Sequence, residues 1–149
     1  GLNASWKGLS FAADFSWVAG KYLLNNDRYF SENPVVAYGM NQSKDVLHAW
    51  KEPGDKTSMP KFGEVMRFDT HLLENASFLR LKNIGIAYQF PSKLLDKTKF
   101  FKSFKIMANA RNLFTVTSYK GADPELDGNV SMGAYPNTKE FTIGAELTF

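Results

Sequence analysis

The segment Thr138-Lys-Glu-Phe-Thr-Ile-Gly-Ala-Glu-Leu-Thr-Phe149 alternates without exception over its last nine residues. Counting back in twos from Phe149 gives Leu147, Ala145, Ile143 and Phe141, all apolar. The interleaved set, Thr148, Glu146, Gly144, Thr142 and Glu140, holds no large apolar side chain. A period of two is the period of a β-strand, with one apolar and one polar face. The segment closes on an aromatic residue. A soluble sheet can also contain such a strand, so the remaining sequence must decide whether the apolar face meets protein or lipid.

The pattern recurs upstream. Residues 2–6 alternate with Leu2, Ala4 and Trp6 on one face, and Lys7-Gly8 is a tight-turn signal. Residues 9–24 form the longest alternation. Leu9, Phe11, Ala13, Phe15, Trp17 and Ala19 oppose Ser10, Ala12, Asp14, Ser16 and Gly20. A strand that long is expected to cross an apolar band of about 25 Å at barrel tilt. Residues 76–90 read as the third long strand, with Ile84, Ile86, Tyr88 and Phe90 on one face. Before Asn83 the parity fails, because Leu79 and Leu81 alternate against Phe78, Arg80 and Lys82. That failure implies a β-bulge or a stretch above the membrane. Residues 104–119 and 138–149 complete a set of about five strands. On this reading Phe11, Phe15, Trp17, Ile84, Ile86, Tyr88, Phe141, Ile143 and Leu147 face lipid.

The connections alternate in length. Lys7-Gly8 is short, 25–75 long, 91–103 intermediate and 120–137 long. Outer-membrane barrels have short periplasmic turns and longer extracellular loops, so 25–75 and 120–137 are expected outside the cell. Pro34, Pro53-Gly54 and Pro60 punctuate the first loop. Within it, residues 43–51 suggest a short helix capped by Ser43, with Val46, Leu47 and Trp50 as an apolar stripe. The fold class is therefore all-β: an antiparallel transmembrane β-barrel segment.

Composition agrees. The chain has 149 residues, no cysteine and 15% aromatics, and a mean hydropathy of −0.31. No apolar run approaches the roughly 18–20 residues of a membrane helix. Alternating strands hide from such averages. The net charge of +3 is scattered. Its densest group, Lys93, Lys97, Lys99, Lys102 and Lys105, reads as a solvated turn rather than a nucleic-acid patch. The first residue is Gly1 with no leader-like segment after it, which suggests a piece of a longer protein. Five strands cannot close a barrel, whose single-chain minimum is about eight.

Two segments carry a family resemblance. Ser77-Phe-Leu-Arg-Leu-Lys-Asn83, running into Ile84-Gly-Ile-Ala-Tyr-Gln-Phe-Pro91, resembles a strand of SusC/RagA-type TonB-linked outer-membrane proteins. Asn109-Ala-Arg-Asn-Leu-Phe-Thr115 with Tyr119-Lys-Gly-Ala-Asp-Pro-Glu125 is similar to a second motif of that family, as is Tyr135-Pro136 before the last strand. Ala122 stands where the family commonly has an aromatic. The resemblance implies the C-terminal part of a TonB-dependent receptor barrel of about 22 strands, its N-terminal plug domain lying outside this chain. It also implies an outer-membrane transporter of Bacteroidetes. Such a protein imports glycan oligomers or peptides with a SusD-like surface lipoprotein as lid and TonB as energy source. Its expected partners are the rest of the barrel and plug, that lipoprotein, TonB, outer-membrane lipid and the cargo, with no nucleic acid. Phe149 then resembles a barrel-assembly signal.

Site chemistry is sparse. Asp123, Glu125 and Asp127 before Gly128 have the spacing of a calcium loop, but position twelve is Ala134 and Pro124 is atypical, so a structural turn is preferred. His48 and His71 read as solvated loop histidines rather than a metal pair or a base. Tyr29, Tyr38, Trp50 and Phe62 are candidates for contact with substrate or lid. Asp14, Arg111 and Glu146 fall on polar faces, where ion pairing inside a barrel is expected. No nucleophile–base spacing, phosphate loop or cofactor motif occurs, so no enzyme and no cofactor is expected. Two other readings are a self-assembling multi-chain barrel, as in a trimeric autotransporter anchor, and a soluble β-sandwich carbohydrate-binding module. The long loops argue against the first and the repeated outward aromatics against the second.

Overall fold

The computed structural model describes residues 1–36, 38–96 and 100–149. Lys97 and Lys99 of the basic group lie outside the described residues. The chain divides into two compact units. The first is Gly1–Val18, Phe78–Thr117 and Asn137–Phe149; the second is Ala19–Ser77 and Ser118–Pro136.

The first unit is an antiparallel meander. Its strands are β1 (Leu2–Trp6), β2 (Leu9–Val18), β5 (Phe78–Gln89), β6 (Ser103–Arg111) and β9 (Glu140–Thr148), paired in that order, with the short β7 (Thr115–Thr117) also on β5. The β1–β2 turn has Lys7 at φ 45° and Gly8 at φ 89°. Positive φ at both central residues matches the right-handed twist of the flanking strands. Gly8 also accepts a hydrogen bond from the Gln89 N–H at 2.8 Å. A Cβ at Gly8 would lie 2.6 Å from the Gln89 carbonyl oxygen, so only glycine fits.

The failed parity before Asn83 is a bulge. Asp14 pairs with Asn83 but Phe15 pairs with Leu81, leaving Lys82 as the extra residue of β5. The extra residue returns Leu81 and Leu79 to the face of Phe15 and Trp17. On the other side of β5, Asn112 takes φ 52° and donates its N–H to the Lys82 carbonyl at 3.1 Å. The motif residues 109–115 therefore accommodate the same irregularity, and the expected single strand 104–119 is split into β6 and β7.

The expected strand over 9–24 is also interrupted. β2 stops at Val18; Gly20 takes φ 71° and donates its N–H to Ser77 Oγ at 3.0 Å. The chain then enters a second sheet of three short strands: β4 (Leu73–Asn75), β3 (Tyr22–Asn25) and β8 (Val130–Ser131) in that order. β3 and β8 run parallel, pairing Leu24 with Val130 and Asn25 with Ser131. The two loops that read as separate in the sequence thus fold together as the second unit. Lys21 Nζ donates to the Leu126 carbonyl at 2.7 Å, Lys120 N–H to Glu74 Oε2 at 2.9 Å and Gly133 N–H to Asp27 Oδ1 at 3.0 Å. Its apolar centre has two parts: Leu23, Ala76 and Tyr119, and Ala49, Met59, Met66 and Leu72.

The second unit also holds α1 (Asn26–Ser31) and 3₁₀ turns at Lys44–His48 and Thr70–Leu72. The expected helix over 43–51 is shorter than the sequence suggests. Ser43 caps it by accepting the Asp45 N–H at 3.2 Å. Its stripe divides: Val46 packs on the apolar centre, whereas Leu47 is 74% exposed. In the first unit, α2 (Ser92–Leu95) is one turn opened by Pro91.

Candidate functional site

The register assigns the paired side chains of the large sheet to a face. Phe11 lies opposite Ala4 and Ile86, Ile86 opposite Ala108, and Ala108 opposite Ile143. Tyr88 aligns with Leu9 and Ile106, Ile84 with Ala13 and Ala110, and Ala110 with Phe141. Phe15, Trp17 and Leu147 fall on the same face, opposite Leu81, Leu79 and Phe104 respectively. All nine residues expected to meet lipid thus share one face, and their paired neighbours on it are apolar. The face is open: Ile143 is 83% exposed, Phe141 74% and Trp17 73%. A contiguous exposed apolar surface rimmed by polar residues marks a contact face rather than an ordinary solvated one.

The opposite face is polar. Asn109 sits across from Gly85 and Thr142, Lys105 from Gln89 and Glu146. Arg111 reaches Glu140 at 3.3 Å, an exposed pair across β6 and β9. Asp14 lies opposite Asn83. Trp6 and Trp17 mark the two ends of the apolar band. Eight residues separate Leu9 from Trp17, about 27 Å along a strand and roughly 20 Å along the normal at barrel tilt, close to a bilayer's apolar thickness for such proteins.

At the short-turn end, aromatic rings gather. Phe90 stacks on Phe104 with centroids 4.8 Å apart and meets Tyr88 at 4.9 Å. Phe149 lies 5.7 Å from Phe100 and 5.4 Å from Phe101. Such a ring girdle belongs at a membrane interface, where aromatic side chains are half wet.

The second unit carries the charged chemistry. Arg28 and Glu32 stand four apart on and just beyond α1, and Arg28 Nε donates to Glu32 Oε1 at 2.6 Å. Arg28 Nη1 donates to Glu74 Oε1 at 2.8 Å and to the His71 carbonyl at 3.2 Å. His71 Nε2 lies 2.8 Å from Glu32 Oε2 and 3.2 Å from Arg28 Nη2. The Glu32 side chain is 1% exposed. Burial disfavours the Arg28 charge, but hydrogen bonds and attraction from Glu32 and Glu74 outweigh it and raise the pKa above the usual arginine value. The sequence shows no obvious sign of this cluster except the Arg28–Glu32 spacing, since His71 and Glu74 arrive from more than forty residues away.

With this geometry in place, comparison with known proteins is decisive. The structure of the RagAB peptide importer in its closed-closed state superposes with a TM-score of 0.89 at 49% identity, over 99% of this chain and 16% of that one. The chain belongs to the SusC/RagA family of TonB-dependent receptors. TonB-dependent receptor P39 of Formosa agariphila is 33% identical over 157 aligned positions, 97% of this chain and 15% of the receptor. TonB-dependent receptor SusC of Bacteroides thetaiotaomicron is 28% identical over 137, 91% and 12%. No family model matches the chain. The chain spans about 12–16% of the length of these relatives.

A SusC/RagA-family chain is an outer-membrane one, and an open apolar face is what a barrel wall in a membrane requires. The soluble β-sandwich is overturned, and the self-assembling anchor has no counterpart among the relatives named above. The structure separates the loop aromatics. Tyr38 and Phe62, 92% and 64% exposed, line one shallow groove with Met40 and Leu47. Trp50 is half-buried in a different cavity. Tyr29 turns inward against the Ala49–Met59–Met66–Leu72 cluster and meets Phe30 and Phe68 edge-on, at 5.4 and 5.6 Å.

Asp123 is 3% exposed and its Oδ1 accepts the Glu125 N–H at 2.8 Å, a local turn contact. Among the described residues no three His, Cys, Asp or Glu side chains are placed to hold a metal ion. His48 is exposed, but its carbonyl accepts the Thr57 hydroxyl at 2.6 Å. His71 is not the solvated histidine expected, since its ring is tied into the buried charge cluster. The sequence reading missed it because nothing local to residue 71 announces Arg28 or Glu32.

Proposed function

We propose that this chain is the C-terminal wall and outer-loop portion of a SusC-like active importer. Its five main strands form part of a closed barrel of about 22 strands, with β1 and β9 paired to strands supplied by the rest of the protein. The plug lies in that remainder. A SusD-like lipoprotein serves as lid, TonB supplies the energy, and the cargo passes without bond chemistry, so the protein is a transporter and not an enzyme.

The observation that carries this reading is the sheet itself: one face apolar and open across five strands, the other polar. A wall between lipid and a wet lumen requires that pairing of faces. Of the two cargo classes, peptides are favoured over glycan oligomers, because likeness to the peptide importer at 49% identity exceeds that to SusC at 28%. Phe149, with its ring contacts at the short-turn end, is assigned to barrel assembly, and Tyr38 and Phe62 to contact with the lid or cargo.

The test is uptake by cells carrying the full-length protein. Labelled oligopeptides should accumulate, and a protonophore or loss of TonB should abolish accumulation. Uptake of oligosaccharides in place of peptides would overturn the cargo assignment. Accumulation that survives de-energisation would overturn active import.

A further inference from the structure

A cavity of about 520 Å³ opens in the second unit, lined by residues between Trp50 and His71. That volume lies in the range of small-ligand sites. Its floor is fixed, because Met59 and Met66 are 6% and 5% exposed and belong to the apolar centre. Its walls are tied down as well. Trp50 N–H donates to the Met59 carbonyl at 3.3 Å, and Trp50 bridges Lys61. Thr57 Oγ1 accepts the Met59 N–H at 3.1 Å. Asp69 Oδ1 accepts the His71 N–H at 2.8 Å, and the His71 ring is held by Glu32.

The free groups around this cavity are unbalanced. The Arg67 guanidinium, the Lys61 ammonium and the Trp50 indole N–H make no hydrogen bond or ion pair among the described residues. Arginine offers five donors and lysine three, and neither accepts. Against them stands one carboxylate, Asp69, already engaged by a backbone N–H. A ligand that complements donor excess over an apolar floor has an acceptor-only charged group on an apolar body.

We propose that this cavity binds a carboxylate of an extended peptide. The carboxylate lies between Arg67 and Lys61, and the adjoining apolar side chain rests against Trp50, Met59 and Met66. The proposal rests on the peptide-import reading and adds a charge preference to it. The carboxylate has two sources, the peptide C-terminus or an acidic side chain.

Binding is measured by calorimetry on the full-length protein in detergent. The probes are Gly-Ala-Val-Leu as free acid, the same peptide as C-terminal amide, and an amide with Asp in place of Val. Unaltered protein should bind the free acid roughly 10- to 100-fold more tightly than the neutral amide, the worth of a charge-assisted contact. Tight binding of the Asp amide would identify the side chain as a second source. Arg67 and Lys61 are exposed, so Arg67→Met and Lys61→Met leave the apolar centre intact. The double variant should bind acid and amide alike, while keeping its affinity for the amide. Failure of both the free acid and the Asp amide to outbind the neutral amide in the unaltered protein, or a preference that persists in the double variant, overturns the proposal while leaving peptide import standing. No peptide binding by the unaltered protein overturns the import reading and this site with it.

Discussion

Ile143→Lys tests the lipid face at its most open point. Ile143 lies opposite Ala108 in the middle of the wall and is 83% exposed. It is three residues from Glu140 and five from Thr148. At about 3.4 Å per residue and 40° of tilt, it lies roughly 8 Å and 13 Å along the normal from the strand ends, near mid-membrane. Lysine on the lipid face there costs about 2–4 kcal/mol, and removing the isoleucine forfeits up to roughly 1.5–3 kcal/mol of apolar transfer. The expected total is about 3.5–7 kcal/mol. Thr142→Lys is the control, one residue away on the polar face opposite Asn109, with an expected cost below about 1 kcal/mol. Full-length protein would be refolded into bilayers and its loss of heat-modifiable gel mobility followed against denaturant. Equal destabilisation by the two lysines, or a greater effect from Thr142→Lys, would refute the assignment of faces.

Glu32→Met should loosen the second unit by about 3–5 kcal/mol, the usual effect of stranding a buried charge, because Glu32 is 1% exposed and binds both Arg28 and His71. Hydrogen exchange would read it as lost protection over α1 and residues 70–75, with β5 and β6 unchanged. Tyr119→Phe removes the 2.7 Å hydroxyl contact with Ser131 and should cost about 1 kcal/mol. The Tyr119 pKa is raised by burial first, with Glu74 and Asp27 adding repulsion of the phenolate. A folded-state pKa above the unfolded one favours the neutral form, so its stabilisation is complete below the unfolded value and declines as pH rises through the folded one. Alkaline titration should therefore destabilise the unaltered protein more than Tyr119→Phe. Deleting Phe149 removes the ring packed near Phe100 and Phe101; membrane insertion should fall sharply while peptide preference stays the same, as read by surface labelling and competition uptake.

The face of each wall residue was legible because a membrane strand has only one decision per residue. Phe141, Ile143 and Leu147 need nothing beyond counting in twos. Where the count broke, at Leu79 and Leu81, the sequence already contained the bulge, but not its place; the register puts it at Lys82. The end of β2 is marked in the sequence only by Lys21 falling on the apolar parity, with Tyr22 and Leu24 on the other, while Gly20 at φ 71° turns the chain into another sheet. The second unit was least legible. Its stability lies in contacts such as Arg28–Glu74 and Lys21–Leu126, separated by 46 and 105 residues, which no local period records. Tyr29 and Trp50 both looked like contact aromatics; composition cannot tell a ring that packs inward from one that lines a cavity.

The edges of the wall decide how the sheet must be used. β1 and β9 each have a partner on one side only among the described residues. In a nine-residue strand alternate residues direct their N–H and C=O outward, so β9 presents roughly eight to ten unpaired groups to its free side. Each such group facing lipid costs several kcal/mol, a sum on the order of tens of kcal/mol. That exceeds the roughly 5–15 kcal/mol by which a whole domain is stable. No improvement in side-chain packing on either face offsets it, since the deficit is in the backbone. Water would satisfy the edge but would then meet Phe141, Ile143 and Trp17 across the open face. Only neighbouring strands satisfy both the edge and the face, and this makes barrel closure a condition for the wall's existence in a membrane rather than a later refinement of it.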